Sequence, residues 1–193
     1  MKICVFGAAS NKIEKSYILA AEKLGERMAE RGHTLVFGAG AHGMMGASAR
    51  GAYRKGGEII GVIPSFFKEE SIEEIYENCT ELIYTETMAE RKSKMEDLAD
   101  AFIILPGGIG TFEEFFQVLT LKQLGRHTKP IAIYNINNYY SHMEKMLENA
   151  VTEAFLSSDG KDLYYYDTNE EELLVHIESD TNEKKDVHDL KFG

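Results

Sequence analysis

Gly107, Gly108 and Gly110 follow the most apolar run of the chain, Ala101 to Leu105, and lead into Thr111-Phe112-Glu113-Glu114. Glycines this dense let consecutive backbone N–H groups face one point. The residues that follow read as a helix beginning at Phe112, so the turn stands at a helix N-terminus, where amides and dipole together favour an anion. No Gly-Lys-Ser/Thr follows, so this is not a Walker loop, and a phosphate monoester suits it better than a triphosphate. Glu114 has two readings. With Thr111 it forms a T-x-x-E capping box, which spacing alone slightly favours. Beside a bound phosphosugar, the same carboxylate would orient water and stabilise oxocarbenium charge in glycosidic hydrolysis.

Arg91 is the second unusual residue. Met88, Arg91, Met95 and Leu98 share one helical stripe, which places an arginine on the face that should be buried. Such a guanidinium needs an anionic partner, either a protein carboxylate or a ligand, and Lys92 stands beside it. Gly38-Ala39-Gly40-Ala41-His42-Gly43 matches G-x-G-x-x-G, but the next strand lacks an acidic residue at its far end to hold a ribose. Dinucleotide binding is therefore not expected. Gly40 and Gly43 either meet a phosphate or ribose through their amides or simply let a helix pack closely on the sheet. The histidines show no metal-ligand spacing, Met44 and Met45 read as core filler, and neither metal nor cofactor is expected.

These residues need a scaffold. Ile3 to Phe6, Thr34 to Phe37, Glu58 to Ile63, Glu81 to Tyr84, Ala101 to Leu105 and Ile131 to Tyr134 read as strands, with Leu163 to Tyr166 a weaker seventh. Amphipathic segments alternate with them; Tyr17, Ala21, Leu24 and Met28 make one apolar stripe. The pattern predicts an α/β fold, a Rossmann-like parallel sheet flanked by helices, as a single domain over residues 1–180 with a frayed charged tail over 181–193. In such a sheet ligands bind just beyond the strand ends. Four loops qualify: Gly7 to Ser10, Gly38 to Gly46, Thr85 to Lys92, and Pro106 to Glu114.

A net charge of -11 argues against gripping a nucleic acid polymer, which needs a basic stripe. Cys4 and Cys79 form no C-x-x-C pair and read as reduced thiols; with no signal peptide or membrane-length apolar run, the cytoplasm is the expected compartment and no membrane partner is expected.

Met88-Ala89-Glu90-Arg91-Lys92 and Pro106-Gly107-Gly108-Ile109-Gly110-Thr111-Phe112-Glu113-Glu114 together resemble the R-K pair and P-G-G-x-G-T-x-x-E signature of the Lonely Guy (LOG) family. Its members are cytokinin riboside 5′-monophosphate phosphoribohydrolases, long mislabelled lysine decarboxylases. The similarity runs from Ile3 to about Phe155. It implies a homodimer or larger homo-oligomer that hydrolyses the N-glycosidic bond of a nucleoside 5′-monophosphate, with Arg91 and Glu114 as catalytic pair. Lys92, Gly108, Gly110, Thr111 and Thr120 match nucleotide-contacting positions. Met88, Gly107, Ile109, Glu113, Ser10, Gly40 and Gly43 complete the candidate binding set. The apolar residues around the helix from Phe112 to Leu124 suit burial against both sheet and partner. Ala89 stands where the family has histidine, Gly7-Ala8-Ala9-Ser10 where C-G-S-S is common, and Ala39 where a glycine is usual. These departures bear on the base, so AMP is expected to serve beside N6-prenylated nucleotides. The alternative on this fold is a non-catalytic nucleotide or molybdenum-cofactor carrier; a pyridoxal-dependent decarboxylase lacks a recognisable cofactor motif.

Overall fold

Along Lys2–Phe6 (β1), Ile3 and Val5 face one side and Cys4 and Phe6 the other, and all four are buried. A strand apolar on both faces must be covered by helices on both faces. The computed structural model describes residues 1–71, 73–181 and 187–192 and shows that arrangement. The other strands are Thr34–Phe37 (β2), Ile59–Pro64 (β3), Glu81–Thr85 (β4), Ala101–Ile104 (β5), Ile131–Tyr134 (β6) and Tyr165–Asp167 (β7). All pairs are parallel, in the order β4-β3-β2-β1-β5-β6-β7.

The helices are Lys15–Glu30 (α1), Gly43–Arg54 (α2), Ser65–Glu69 (α3), Met88–Leu98 (α4), Ile109–Gln123 (α5), Ser141–Thr152 (α6), Glu170–Ser179 (α7) and Val187–Phe192 (α8). On one face of the sheet α1, α2 and α7 bury Leu24, Met28, Met44, Leu173 and Ile177. On the other, α4, α5 and α6 bury Met95, Phe115, Val118 and Leu147. Complete burial of a side chain such as Phe115 contributes about 1.5–3 kcal/mol, which anchors α5 over the sheet.

The strand order reverses between β1 and β5. The chain winds outward from β1 to β4, returns to pair β5 with β1, and then winds outward the other way. The loops leaving β1 and β5 therefore diverge and leave a crevice beyond their carboxyl ends, where an open α/β sheet takes its ligand. Ala8 N–H donates to the Pro106 carbonyl at 3.1 Å and ties the two loops together.

Sequence and structure differ at some boundaries. β3 is displaced by one residue from Glu58 to Ile63, because Pro64 still pairs with Thr85. The last strand begins at Tyr165, since Leu163 belongs to the 3₁₀ turn Ser158–Leu163. The tail expected over 181–193 falls partly outside the described residues; within them α8 packs back, with Leu190 buried and its carbonyl accepting from Gln123 Nε2. Among the described residues no helix is long and apolar enough to cross a membrane.

Candidate active site

The glycine turn is held from the side. Tyr139 Oη donates to the Gly107 carbonyl at 2.6 Å, and Tyr140 Oη donates to the Leu105 carbonyl at 2.7 Å. Gly107 is closed over by Thr111, whose Oγ1 would lie 2.1 Å from a Cβ there, whereas a Cβ on Gly108 or Gly110 would meet nothing within 4 Å. One side of the turn is packed and the other is open.

The helix after the turn starts earlier than its sequence suggests. Gly108 is the N-cap of α5 and Ile109 its first residue, with Phe112 N–H already donating to the Gly108 carbonyl at 3.0 Å. Glu114 therefore lies in the second turn and cannot reach back to the cap, which overturns the capping-box reading. A T-x-x-E box does occur upstream: Thr87 Oγ1 accepts from Glu90 N–H at 3.1 Å, and Glu90 in turn accepts from Glu86 N–H at 2.9 Å. At α5 the glycine cap supplies no side-chain acceptor, so the first-turn amides remain unpaired by any side chain and available to an anion.

Thr87 starts α4 so that Arg91, one turn in, points back over the strand ends. Arg91 is only 6% exposed; its Nε donates to the Val62 carbonyl at 3.1 Å and its Nη2 to the Gly38 carbonyl at 3.2 Å. Among the described residues no carboxylate lies within ion-pair distance of it. Two backbone carbonyls fix the guanidinium, and the buried charge faces Glu114 and Glu73 across the cleft without contacting either. Lys92 is committed differently: its Nζ pairs with Glu113 and donates to Gln117 Oε1 at 2.8 Å, and Gln117 bonds Glu96. That network joins α4 to α5 at the rim.

Burial pushes the Glu114 carboxyl up from the usual 4.5 to about 7. Arg91 and Lys92 pull it down and Glu113 pushes it up, with desolvation prevailing. Glu114 makes no hydrogen bond among the described residues, so its proton affinity is set by its surroundings rather than by a structural partner. A carboxyl poised near neutrality in a cleft is the kind of group general acid–base chemistry uses.

A cleft of about 460 Å³ joins these groups. Ser10, Met88, Arg91, Lys92, Gly108, Gly110, Thr111, Glu113 and Glu114 all line it, together with Gly7, Ala8, Ala9, Met45, Phe67 and Glu73. Gly107 opens onto an adjoining recess, and Ile109 projects from the rim, 86% exposed. Gly40 and Gly43 stand behind the wall: a Cβ on Gly40 would be 2.2 Å from Glu73 Oε1, and Gly43 adopts φ 59° against the Ala8 carbonyl. Thr120 is exposed further along α5, away from the cleft lining. Met45, expected as core filler, does reach the cleft. Glu73, Tyr139 and Tyr140 were not anticipated; none carries a spacing signal. Among the described residues no group of His, Cys, Asp or Glu is placed to hold a metal ion.

Fold and cleft thus define a Rossmann-like α/β protein with an open glycine turn at an uncapped helix N-terminus, a fixed arginine and a near-neutral carboxyl at the topological switch point. A family model described as possible lysine decarboxylase matches residues 45–177. A cytokinin riboside 5′-monophosphate phosphoribohydrolase of Arabidopsis thaliana is 37% identical over 177 residues, covering 92% of this chain and 82% of that protein. A probable counterpart in Oryza sativa subsp. japonica is 35% identical over 191 residues, covering 99% and 77%. The chain belongs to the LOG family. The molybdenum cofactor carrier protein of Chlamydomonas reinhardtii superposes with a TM-score of 0.69 at 20% identity, over 92% of this chain and 95% of that one, a likeness of fold.

Proposed function

We propose that this chain hydrolyses the N-glycosidic bond of a nucleoside 5′-monophosphate, a cytokinin riboside monophosphate or AMP, to free base and ribose 5-phosphate. The observation that carries the reading is the Glu114 carboxyl, held near neutrality and free of structural partners, beside an uncapped helix N-terminus in the same cleft. The first-turn amides of α5 would take the phosphate, which sets the sugar between the turn and Arg91. Arg91 is fixed by two carbonyls and has Nη1 left to orient the nucleotide. As the bond from C1′ to the base nitrogen breaks, positive charge develops on the sugar; the Glu114 carboxylate stabilises it and accepts a hydrogen bond from water. Water adds its hydroxyl to C1′, and the proton it gives up is passed to the departing base.

The names of the relatives support the nucleotide class. The same reading includes a homo-oligomer, supported by Phe112, Phe116, Leu119 and Leu121, which α5 leaves half-buried. A cytoplasmic setting is supported by two free cysteines, Cys4 and Cys79. Incubation with nucleoside monophosphates, nucleosides and diphosphates, followed by chromatography of the released base, tests the proposal. Release from monophosphates and far less from nucleosides is expected, because the phosphate grip supplies energy that positions the sugar. Equal turnover of adenosine and AMP would refute the role of the glycine turn.

A further inference from the structure

One acidic group in the cleft has no part in the chemistry above. Glu73 lies on the segment between α3 and β4, and the residues after it are pinned to the glycine turn that follows β2. Ala41 N–H donates to the Glu74 carbonyl and Tyr76 N–H to the Ala39 carbonyl, both at 2.8 Å, around an antiparallel bridge between Gly40 and Ile75. His42 Nε2 lies 2.9 Å from Glu74 Oε2 and closes the same corner. This short ladder carries the Glu73 side chain over Gly40 into the cleft wall. The absence of a side chain at Gly40 is what makes room for it: a Cβ there would stand 2.2 Å from Glu73 Oε1.

Glu73 Oε1 is buried and has no hydrogen-bond partner among the described residues. A buried acceptor without a donor is a cost to the fold, and in a binding cleft the missing donor is supplied by the ligand. Burial pushes the Glu73 carboxyl up, while Arg91 and His42 draw it back. Arg91 acts likewise on Glu114, so one fixed guanidinium serves both carboxyls. The ligand atoms near Glu73 must be donors. A phosphate is excluded by charge and belongs at the open amides, and C2′ adjoins the C1′ that Glu114 attends.

We infer that Glu73 is a specificity-determining residue whose carboxylate accepts hydrogen bonds from the ribose 2′,3′-diol, so that the cleft selects ribonucleotides over 2′-deoxyribonucleotides. The inference rests on the nucleotide reading of the cleft. A carboxylate has two acceptor oxygens for two vicinal hydroxyls, and a site built to bond a hydroxyl rejects the analogue that lacks it because its own polar group is then left unpaired.

The test compares kcat/KM for AMP, 2′-deoxy-AMP and IMP in the unaltered protein, Glu73→Gln and Glu73→Ala, with thermal melts to verify folding. The unaltered protein is expected to favour AMP over 2′-deoxy-AMP by roughly 10- to 100-fold, the scale of a charged hydrogen bond, and the ratio should collapse toward one in Glu73→Ala. Three results would overturn the assignment: no ribose preference in the unaltered protein, an equal loss on AMP and 2′-deoxy-AMP in folded variants, or a loss that tracks the AMP-to-IMP ratio, which would mark a contact to the base amine. If no nucleotide is turned over, the hydrolase reading falls. Calorimetric titration with AMP and 2′-deoxy-AMP then decides Glu73 separately: a ribose preference abolished in Glu73→Ala upholds it, and any other pattern overturns it.

Discussion

Replacing Glu114 by glutamine should move stability and activity in opposite directions. In the folded protein the carboxyl is raised from 4.5 to about 7. At 1.36 kcal/mol per pH unit that displacement corresponds to about 3 kcal/mol, and water at the cleft mouth brings the figure to about 1–3 kcal/mol. The native state therefore holds this proton more tightly than the unfolded chain does. As pH rises from about 4.5 to about 7 the unfolded chain has released it and the native protein has not, so stability falls through that window and levels off above it. Glutamine has no proton to lose, and the variant escapes this fall. Near pH 4.5 the two proteins should melt together; at pH 8 Glu114→Gln should melt about 2–10 °C higher. Its kcat/KM should be down by roughly 10²-fold or more, and the acid limb near pH 7 of the unaltered protein's profile should be missing. Melting curves at several pH values beside hydrolysis rates would check this. A folded variant with near-normal hydrolysis, or a stability difference independent of pH, refutes the reasoning.

Gly38→Ala would put a Cβ 1.6 Å from Arg91 Nη2, so the guanidinium must leave its two carbonyls; at least a tenfold loss of kcat/KM is expected by steady-state assay, with a lower melting temperature. Retained activity would show that the position of Arg91 is unimportant. Tyr139→Phe removes the hydroxyl that holds the Gly107 carbonyl, and KM for a monophosphate should rise about 2- to 10-fold, the scale of one neutral hydrogen bond, with kcat changed less. An unchanged KM would show that the Tyr139 contact to the glycine turn has no part in binding. Light scattering at micromolar concentration should report a dimer or larger species, since α5 keeps several aromatic and aliphatic side chains half-buried; a stable monomer would count against the assembly.

The central strands could be read from the chain because each is a short apolar run buried on both faces, as in Ala101–Ile104 and Ile131–Tyr134, whereas the edge strands Glu81–Thr85 and Tyr165–Asp167 are only half-covered and their signal is weaker. That Arg91 and Glu114 face one cleft could be read too, the first from its misplaced charge and the second from the turn before it. Glu73 could not. It sits in an acidic stretch with Glu69, Glu70, Glu74 and Glu77 and resembles a solvated loop in the sequence, and the pairing of Ile75 with Gly40 is what turns Glu73 inward. Tyr139 and Tyr140 were equally silent, because what they hold is a carbonyl 32 or 35 residues away.

The two motifs that pointed elsewhere are explained by the same crevice. T-x-x-E at 111–114 suggested a capped helix, yet the helix begins at Ile109 and tolerates Gly110 in its first turn at a cost of roughly 1 kcal/mol, offset by the burial of Phe115 and Val118. A serine or aspartate at position 108 would supply the missing cap and, by occupying the first-turn amides, close the anion site; glycine leaves them open. G-x-G-x-x-G at 38–43 suggested a dinucleotide, yet Gly38 yields space to Arg91, Gly40 yields it to Glu73, and Gly43 lets its loop meet Ala8. Glycines that elsewhere admit a cofactor here admit the protein's own side chains. What the fingerprint encodes in this fold is the placement of Arg91 and Glu73 in the wall of the cleft.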